Sequence, residues 1–227
     1  MRPEFTVSLM CMDYLHLAEQ LKILDDLADG YHADIMDGHF CSNLALSPDL
    51  VAQIARATRL PVDVHLMTTE PERWLEGLAE AGVRIICPQA ETINHHAYRV
   101  LGRIRELGCE PGVVLNPATP LEYVRPYIGR IKYLVLLCVD PGYAGQQFIP
   151  EVQAKVEAAA RLRRELGLNY IIEVDGACGP ATFAQLNGAG AQRYVLGTSG
   201  LFRNSADLKE AYLLMRRNFS RVTGVEL

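Results

Sequence analysis

Ionisable side chains recur at alternate positions of apolar segments in this sequence. His32 and Asp34 alternate with apolar residues in YHADIM, His65 lies in VDVHLM, and Asp175 follows IIEV. Alternate residues of a β-strand share one face, so His32 and Asp34 are predicted to point the same way. Charged groups are rarely buried unless they are paired or bind a metal. The pattern therefore predicts a chemical site rather than a plain apolar core.

Two kinds of chemistry suit this residue set. Two histidines and two aspartates from three strands could bind Zn²⁺ or another divalent first-row ion such as Mn²⁺, Co²⁺ or Fe²⁺. The carboxylates of Asp34 and Asp175 could also serve as a general acid and a general base. A histidine in a strand is, however, more often a hydrogen-bonded core or surface residue than a metal ligand. The spacing alone leaves these interpretations open.

Glycine-rich turns follow the last three predicted strands. They read DPGYAGQ (140–146), DGACG (175–179) and GTSG (197–200). Glycine allows backbone N–H groups to approach an anion closely, and barrel enzymes often bind phosphate at the last two of these loops. No turn contains the GxxxxGK[ST] motif of nucleoside-triphosphate sites. None contains a lysine, which disfavours a Schiff-base aldolase.

The elements that must position these residues alternate along the chain. Apolar, β-branched runs predict strands at residues 5–9, 31–36, 62–67, 84–88, 110–115, 132–138, 169–174 and 193–197. Three- and four-residue apolar spacing predicts helices such as 15–28, 71–81, 94–107, 152–166 and 205–218. Eight such units predict a (β/α)₈ TIM barrel, although an open doubly wound sheet could use the same pattern. No linker divides the chain, so a single domain over residues 1–227 is predicted.

Composition limits the class of partner. The chain of 227 residues is 49% hydrophobic and carries a net charge of −5, which argues against nucleic acid or an anionic membrane surface as a partner. It shows no signal peptide or membrane-spanning apolar run, and its six cysteines form no CxxC pair. We therefore expect a cytoplasmic protein with reduced thiols.

Several motifs together resemble one enzyme family. The blocks HADIMDGHF, DVHLM, GVVLNPATP, VDPGYAGQQFIP, EVDG and GTSGLF resemble the ribulose-phosphate 3-epimerase family, in the same order and at compatible spacing. Within that family, SLMCMD, NLALSP, ETIN and GTSGLF resemble most closely the branch that acts on D-allulose 6-phosphate. The resemblance implies a cytoplasmic, homo-oligomeric TIM-barrel isomerase that binds a phosphorylated ketose and one divalent metal ion.

The resemblance also implies roles for individual residues. His32, Asp34, His65 and Asp175 would bind the metal, and Asp34 and Asp175 would transfer protons. Ser8 and His65 would contact the sugar, and Met36 and Met67 would form an apolar wall. Phosphate and substrate contacts are implied for Gly142, Tyr143, Ala144, Gly145, Gly176, Ala177, Gly197, Thr198 and Ser199. Asp37 and His39, beyond the second strand, are expected to be structural or rim residues.

The chain departs from the family pattern at a few positions. Cys41 and Ser42 replace the Val–Pro pair of the usual HFVPN. Gln89 stands where a histidine is common after the fourth strand, and Leu137 replaces a methionine. No departure removes an implied metal ligand, so the departures bear on substrate preference and turnover more than on the type of reaction.

Three alternatives remain at this point. The same C3 epimerisation could act on D-ribulose 5-phosphate, which is one carbon shorter. A non-catalytic sugar-phosphate-binding barrel would not require both Asp34 and Asp175. A lyase or synthase on the same fold is disfavoured by the missing lysine.

Overall fold

The protein is a closed barrel of eight parallel strands in the computed structural model, which describes residues 2–227. The strands are β1 (Glu4–Ser8), β2 (Gly30–Met36), β3 (Val62–Met67), β4 (Ile85–Pro88), β5 (Glu110–Leu115), β6 (Tyr133–Leu137), β7 (Ile171–Asp175) and β8 (Arg193–Leu196). Each pairs in parallel with the next, and β8 closes on β1. The predicted (β/α)₈ barrel is confirmed, and the open-sheet alternative is wrong.

Helices surround the strands. They are α1 (Leu17–Leu24), α2 (Pro48–Ala57), α3 (Leu75–Glu80), α4 (Ala90–Ile93), α5 (Ala97–Glu106), α6 (Val152–Glu165), α7 (Phe183–Ala189) and α8 (Leu208–Thr223). Between residues 2 and 227 no helix is long and apolar enough to cross a membrane. The apolar face of each longer helix packs on the outer surface of the barrel, and these helices shield the sides of the barrel interior from solvent.

The layer around the barrel differs from the sequence prediction at particular places. Helix α2 is absent from the predicted helices, yet Ser47 caps its first turn by accepting a hydrogen bond from Leu50 N at 3.2 Å, and Pro48 begins it. Between β5 and β6 the chain forms 3₁₀ turns (Leu121–Tyr123 and Arg125–Arg130) in place of an α-helix. Pro120 precedes the first of these turns and Pro126 lies at the start of the second, and proline disrupts the backbone hydrogen bonds of a longer helix.

Strand register places the chemistry-bearing residues side by side. On the β2–β3 pair, His32 lies beside Asp63 and Asp34 lies beside His65. On the β1–β2 pair, Ser8 lies beside His32. Because period-2 alternation sends these side chains into the barrel, polar groups from neighbouring strands meet at its carboxyl end.

Candidate active site

Four side chains from three strands converge at the carboxyl end of the barrel. His32, Asp34, His65 and Asp175 each offer one donor atom, and these atoms all lie within 4.8 Å of one another. The two imidazoles are fully buried and Asp34 is nearly so, whereas the side chain of Asp175 is 18% exposed at the end of β7. The structure thus brings together four residues that are far apart in the sequence.

The His32 ring is held by a hydrogen bond to Asp63. Its Nδ1 hydrogen-bonds to Asp63 Oδ1, and we assign the donated proton to Nδ1. Its Nε2 then carries a lone pair that lies 3.4 Å from Asp34 Oδ1 and 3.8 Å from Asp175 Oδ2. This Nε2 is buried and has no hydrogen-bond partner in the described chain.

The His65 ring is held from the side by Gln89. In the amide orientation that satisfies its neighbours, Gln89 Oε1 accepts from His65 Nε2 at 2.9 Å. The Gln89 amide nitrogen donates to Glu91 Oε2 at 2.8 Å and to Val114 O at 3.2 Å. His65 Nδ1 is therefore left with its lone pair, 3.1 Å from Asp34 Oδ1.

This donor set fits a divalent cation. Two imidazole lone pairs face the carboxylate of Asp34, and acceptors that face one another at these distances require a positive charge between them. Two imidazoles and two carboxylates suit a divalent first-row ion, and each imidazole has the outer hydrogen-bond acceptor that metal-bound histidines usually show. The site could therefore hold one such ion.

The two aspartates have opposite electrostatic environments. Burial favours the neutral form of Asp34, but when no metal is bound the positive charge on His32 and the contacts of Asp34 with both imidazole rings outweigh burial and lower the pKa of Asp34. Burial raises the pKa of Asp175 to about 6, and the charges of Asp34 and Glu173 act in the same direction. The pKa of one carboxyl is thus lowered while that of its neighbour is raised, which is the separation that acid–base pairs require.

A cleft opens above these four residues. It encloses about 610 Å³ of empty space, a volume that includes its open mouth. Every substrate-contact and wall residue expected from the sequence lines it: Ser8, Met36, His65, Met67, Gly142, Tyr143, Ala144, Gly145, Gly176, Ala177, Gly197, Thr198 and Ser199. Met36 and Met67 are paired across β2 and β3 and are both buried, so they form one apolar wall.

The turn after β7 has a strained backbone. Gly176 has φ +94°, and a Cβ there would lie 2.6 Å from Val139 Cγ2. Ala177 has φ +52° and is the one non-glycine residue with positive φ between residues 2 and 227. Such strain concentrates at ligand sites, where successive N–H groups can face an anion. The neighbouring Gly197–Ser199 turn lines the same end of the cleft.

The loops after β2 and β6 are tied together over the cleft. Asn43 Nδ2 donates to Gly142 O at 2.6 Å, and the Tyr143 hydroxyl donates to Ser42 O at 2.6 Å. The departures at Cys41 and Ser42 therefore lie in a loop that contacts the cleft rim.

Asp37 lies outside the cleft, beyond the end of β2. Its carboxylate accepts hydrogen bonds from the backbone of His39, Phe40 and Thr69. These contacts hold the loop that follows β2, which fits the structural role expected for Asp37.

Several residues of the site were not predicted from the sequence. Met10, Cys11 and Val139 line the cleft, but they belong neither to the alternating His and Asp pattern nor to a glycine-rich turn. Asp63 and Glu173 lie on the inward faces that the alternation predicts, but their partners depend on strand register. Further apolar and polar lining is supplied by Leu137, Asp140, Pro141, Gln146 and Val195.

Comparisons with known proteins agree with this geometry. A model of the ribulose-phosphate 3 epimerase family matches residues 4–202. The chain is 40% identical to a ribulose-phosphate 3-epimerase of Synechocystis over 85% of this chain and 84% of that protein. It is 34% identical to one from Escherichia coli over 95% of this chain and 96% of that protein.

Solved structures provide an independent test of the architecture. A mutant tryptophan synthase α-subunit from Pyrococcus furiosus matches with a TM-score of 0.66 at 16% identity, over 99% of this chain and 100% of that chain. At this identity the likeness concerns the fold alone. It supports the TIM-barrel architecture.

Proposed function

Because this chain belongs to the ribulose-phosphate 3-epimerase family, and is therefore a carbohydrate isomerase, we propose that it inverts C3 of D-allulose 6-phosphate to give D-fructose 6-phosphate. The observation that carries the reaction type is the pair Asp34 and Asp175. They come from different strands, line one cleft, and have pKa values shifted in opposite directions. A binding protein would need neither this separation of pKa values nor two carboxylates.

The proposed reaction is a proton transfer across a planar intermediate. The ionised Asp34 carboxylate removes the proton from C3, next to the C2 carbonyl, and the substrate becomes an enediolate. Protonated Asp175 then delivers a proton to the opposite face of C3. In the reverse direction the two residues exchange roles. A positioned acid or base of this kind contributes about 10²–10⁴-fold to a rate.

The surrounding residues support the transfer in distinct ways. The Met36 and Met67 thioethers exclude water from one side of the enediolate, and Ser8 is placed beside His32 to hydrogen-bond the sugar. The turns at Gly176–Ala177 and Gly197–Ser199 would bind the phosphate, far from C3. This remote contact orients the sugar between the two carboxyls.

The proposal includes one divalent ion held by His32, Asp34, His65 and Asp175. When bound, such an ion acts as a Lewis acid and stabilises the negative charge that develops on the substrate oxygens. We expect prolonged chelation to abolish epimerisation and Zn²⁺, Mn²⁺, Co²⁺ or Fe²⁺ to restore it. Full activity in protein that elemental analysis finds free of metal would contradict this part of the proposal.

Substrate length distinguishes two candidate functions. The motifs SLMCMD, NLALSP, ETIN and GTSGLF support the six-carbon D-allulose 6-phosphate. The names of the curated relatives favour D-ribulose 5-phosphate as the second candidate. Both substrates share the chemistry at C2–C4, so the difference lies in where the phosphate binds relative to the carboxyl pair.

Specificity is tested by measuring kcat/KM for both ketose phosphates on one metal-loaded preparation, with Asp34→Asn as the matched inactive control. We expect the ratio to favour the hexulose phosphate by at least about tenfold, or about 1.4 kcal/mol in transition-state binding. A ratio that favours the pentulose phosphate would assign the second candidate. Turnover of neither substrate would refute epimerase activity.

The proposal also places the enzyme in the cytoplasm as a homo-oligomer. Light scattering on the purified protein measures the oligomeric state directly. A monomer at micromolar concentration would contradict that part of the proposal.

A further inference from the structure

A buried arginine lies inside the barrel beneath the candidate metal site. Arg193, on β8, is 2% exposed. Its Nη2 donates to Asp63 Oδ2 at 2.8 Å, its Nη1 lies 3.3 Å from Glu173 Oε2, and its guanidinium stacks over the Tyr133 ring at 5.1 Å. Barrel interiors are usually filled by branched apolar residues, and a buried guanidinium is costly unless paired. Its position therefore calls for a functional explanation.

Arg193 is connected to the candidate metal site through a single carboxylate. Asp63 binds Arg193 with Oδ2 and accepts from His32 Nδ1 with Oδ1. The opposite ring atom, His32 Nε2, is the buried atom without a partner that faces Asp34 and Asp175. The hydrogen bonds thus run from β8 through β3 to the proposed metal ligand on β2.

Two carboxylates compete for the same imidazole proton. Glu173 Oε1 lies 3.3 Å from His32 Nδ1, close to the Asp63 oxygen that already accepts from it. These three side chains form a second cluster whose donor atoms lie within 4.8 Å of one another. Arg193 supplies the positive charge of that cluster, because it contacts the second oxygen of both Asp63 and Glu173. Through its contact with Oδ2, Arg193 can hold Asp63 with Oδ1 directed at His32.

We propose that Arg193 is a positioning residue that orients His32 for the divalent ion by holding Asp63 in place. The inference rests on the metal site of the proposed function. It also implies that the second cluster, formed by His32, Asp63 and Glu173, binds no second ion, because the guanidinium already balances the charges of Asp63 and Glu173. The protein should therefore bind one equivalent of metal.

The test compares metal binding by folded variants. Arg193→Met removes the charge and keeps most of the side-chain volume, and Arg193→Lys keeps the charge without the two-pronged contact. Arg163→Met is the matched control, because Arg163 donates to Tyr170 O and to Gln192 on the outside of the barrel. The readouts are Co²⁺ affinity by chelator competition and the visible absorption spectrum of bound Co²⁺. A purely structural arginine would not change that spectrum.

We expect Arg193→Met to weaken Co²⁺ binding by about 10–100-fold and to shift the Co²⁺ spectrum, as loss of a partner behind a ligand usually does. Arg193→Lys should lie between this variant and the wild type, and Arg163→Met should match the wild type. In an Asp63→Asn background, Arg193→Met should add less than about threefold, because the arginine acts through that carboxylate.

The outcomes separate this inference from the proposed function. Wild-type Co²⁺ affinity in folded Arg193→Met, or effects of Arg193→Met and Asp63→Asn that multiply, would overturn the positioning role and leave the metal site intact. Absence of Co²⁺ binding by the wild type would overturn the metal site itself. If Arg193→Met does not fold, Arg193→Lys decides: reduced affinity supports the inference and wild-type affinity overturns it.

Discussion

Replacing Asp175 by asparagine should stabilise the metal-free protein at neutral and alkaline pH while abolishing its activity. Burial raises the pKa of Asp175 from its ordinary value of 3.8 to about 6, with the charges of Asp34 and Glu173 adding to the effect. The ionised form of this side chain is therefore less favourable in the folded protein than in the unfolded chain. The asparagine side chain would keep the shape of the aspartate and lose its charge.

The size of the effect follows from the pKa difference. Each tenfold change in an acid dissociation constant is worth about 1.4 kcal/mol, so the ionised Asp175 costs the folded state about 3 kcal/mol once the pH is well above 6. Well below pH 3.8 the group is protonated in both states and costs nothing. Between these values the unfolded chain ionises first, so the wild type loses stability as pH rises. At about pH 5 roughly half of the cost is present.

The assay is urea unfolding of metal-free wild type and Asp175→Asn at about pH 5 and about pH 8. We expect the free energy of unfolding of the variant to exceed that of the wild type by about 1.5 kcal/mol at the lower pH and about 3 kcal/mol at the higher pH. Asp140→Asn, at an exposed aspartate of the same rim, should leave the pH dependence unchanged. A variant no more stable than the wild type at about pH 8 would refute the argument that burial of Asp175 opposes its charge.

Further predictions concern the reaction, the outer contacts of the site and the strained turn. Asp34→Asn should lower kcat by at least about 100-fold with the fold intact by circular dichroism, and activity within about tenfold of wild type would remove its role as base. Epimerisation in D₂O should place deuterium at C3 of the product by mass spectrometry and NMR, whereas transfer of the original C3 hydrogen, or label at C4 or C5, would contradict two carboxylates on opposite faces. Gln89→Leu should weaken Co²⁺ binding by about 10–100-fold, because His65 Nε2 loses its acceptor, and unchanged affinity would show that Gln89 does not orient the ring. Ala177→Gly should raise the free energy of unfolding by about 1 kcal/mol through relief of positive-φ strain, and a less stable variant would show that the turn is not strained.

The strands can be predicted from the sequence because residues buried on both faces of a strand form nearly continuous apolar runs. The strand predicted at 62–67 is observed as Val62–Met67, and the strand predicted at 110–115 is observed as Glu110–Leu115. The predicted helix 94–107 is observed as α5 (Ala97–Glu106), which begins after His96, and the short helix α4 (Ala90–Ile93) precedes it outside the predicted range. Helix ends depend on local caps and on contacts with the barrel, which apolar spacing does not encode.

The candidate site is predictable to the level of residue type and strand face. Alternation places His32 and Asp34 together, and the common rim of barrel strands adds Asp175. The hydrogen-bond partners of the two histidines cannot be predicted from the sequence in the same way. That Asp63 contacts His32, or that Gln89 contacts His65, depends on strand register and side-chain rotamers, which are properties of the closed barrel and not of any single segment.

The position of Arg193 has a consequence for the order in which the chain folds. Asp63 and Glu173 lie on β3 and β7, but the cation that pairs with both arrives only with β8, the last strand. During synthesis, a chain that ends before β8 must either keep these two acids hydrated or bury them without a counter-charge. We therefore expect the barrel interior to stay open to water until β8 inserts between β7 and β1. Closure of the ring and dehydration of its polar interior should then occur in a single late step, so a partly synthesised barrel cannot close until the last strand is available.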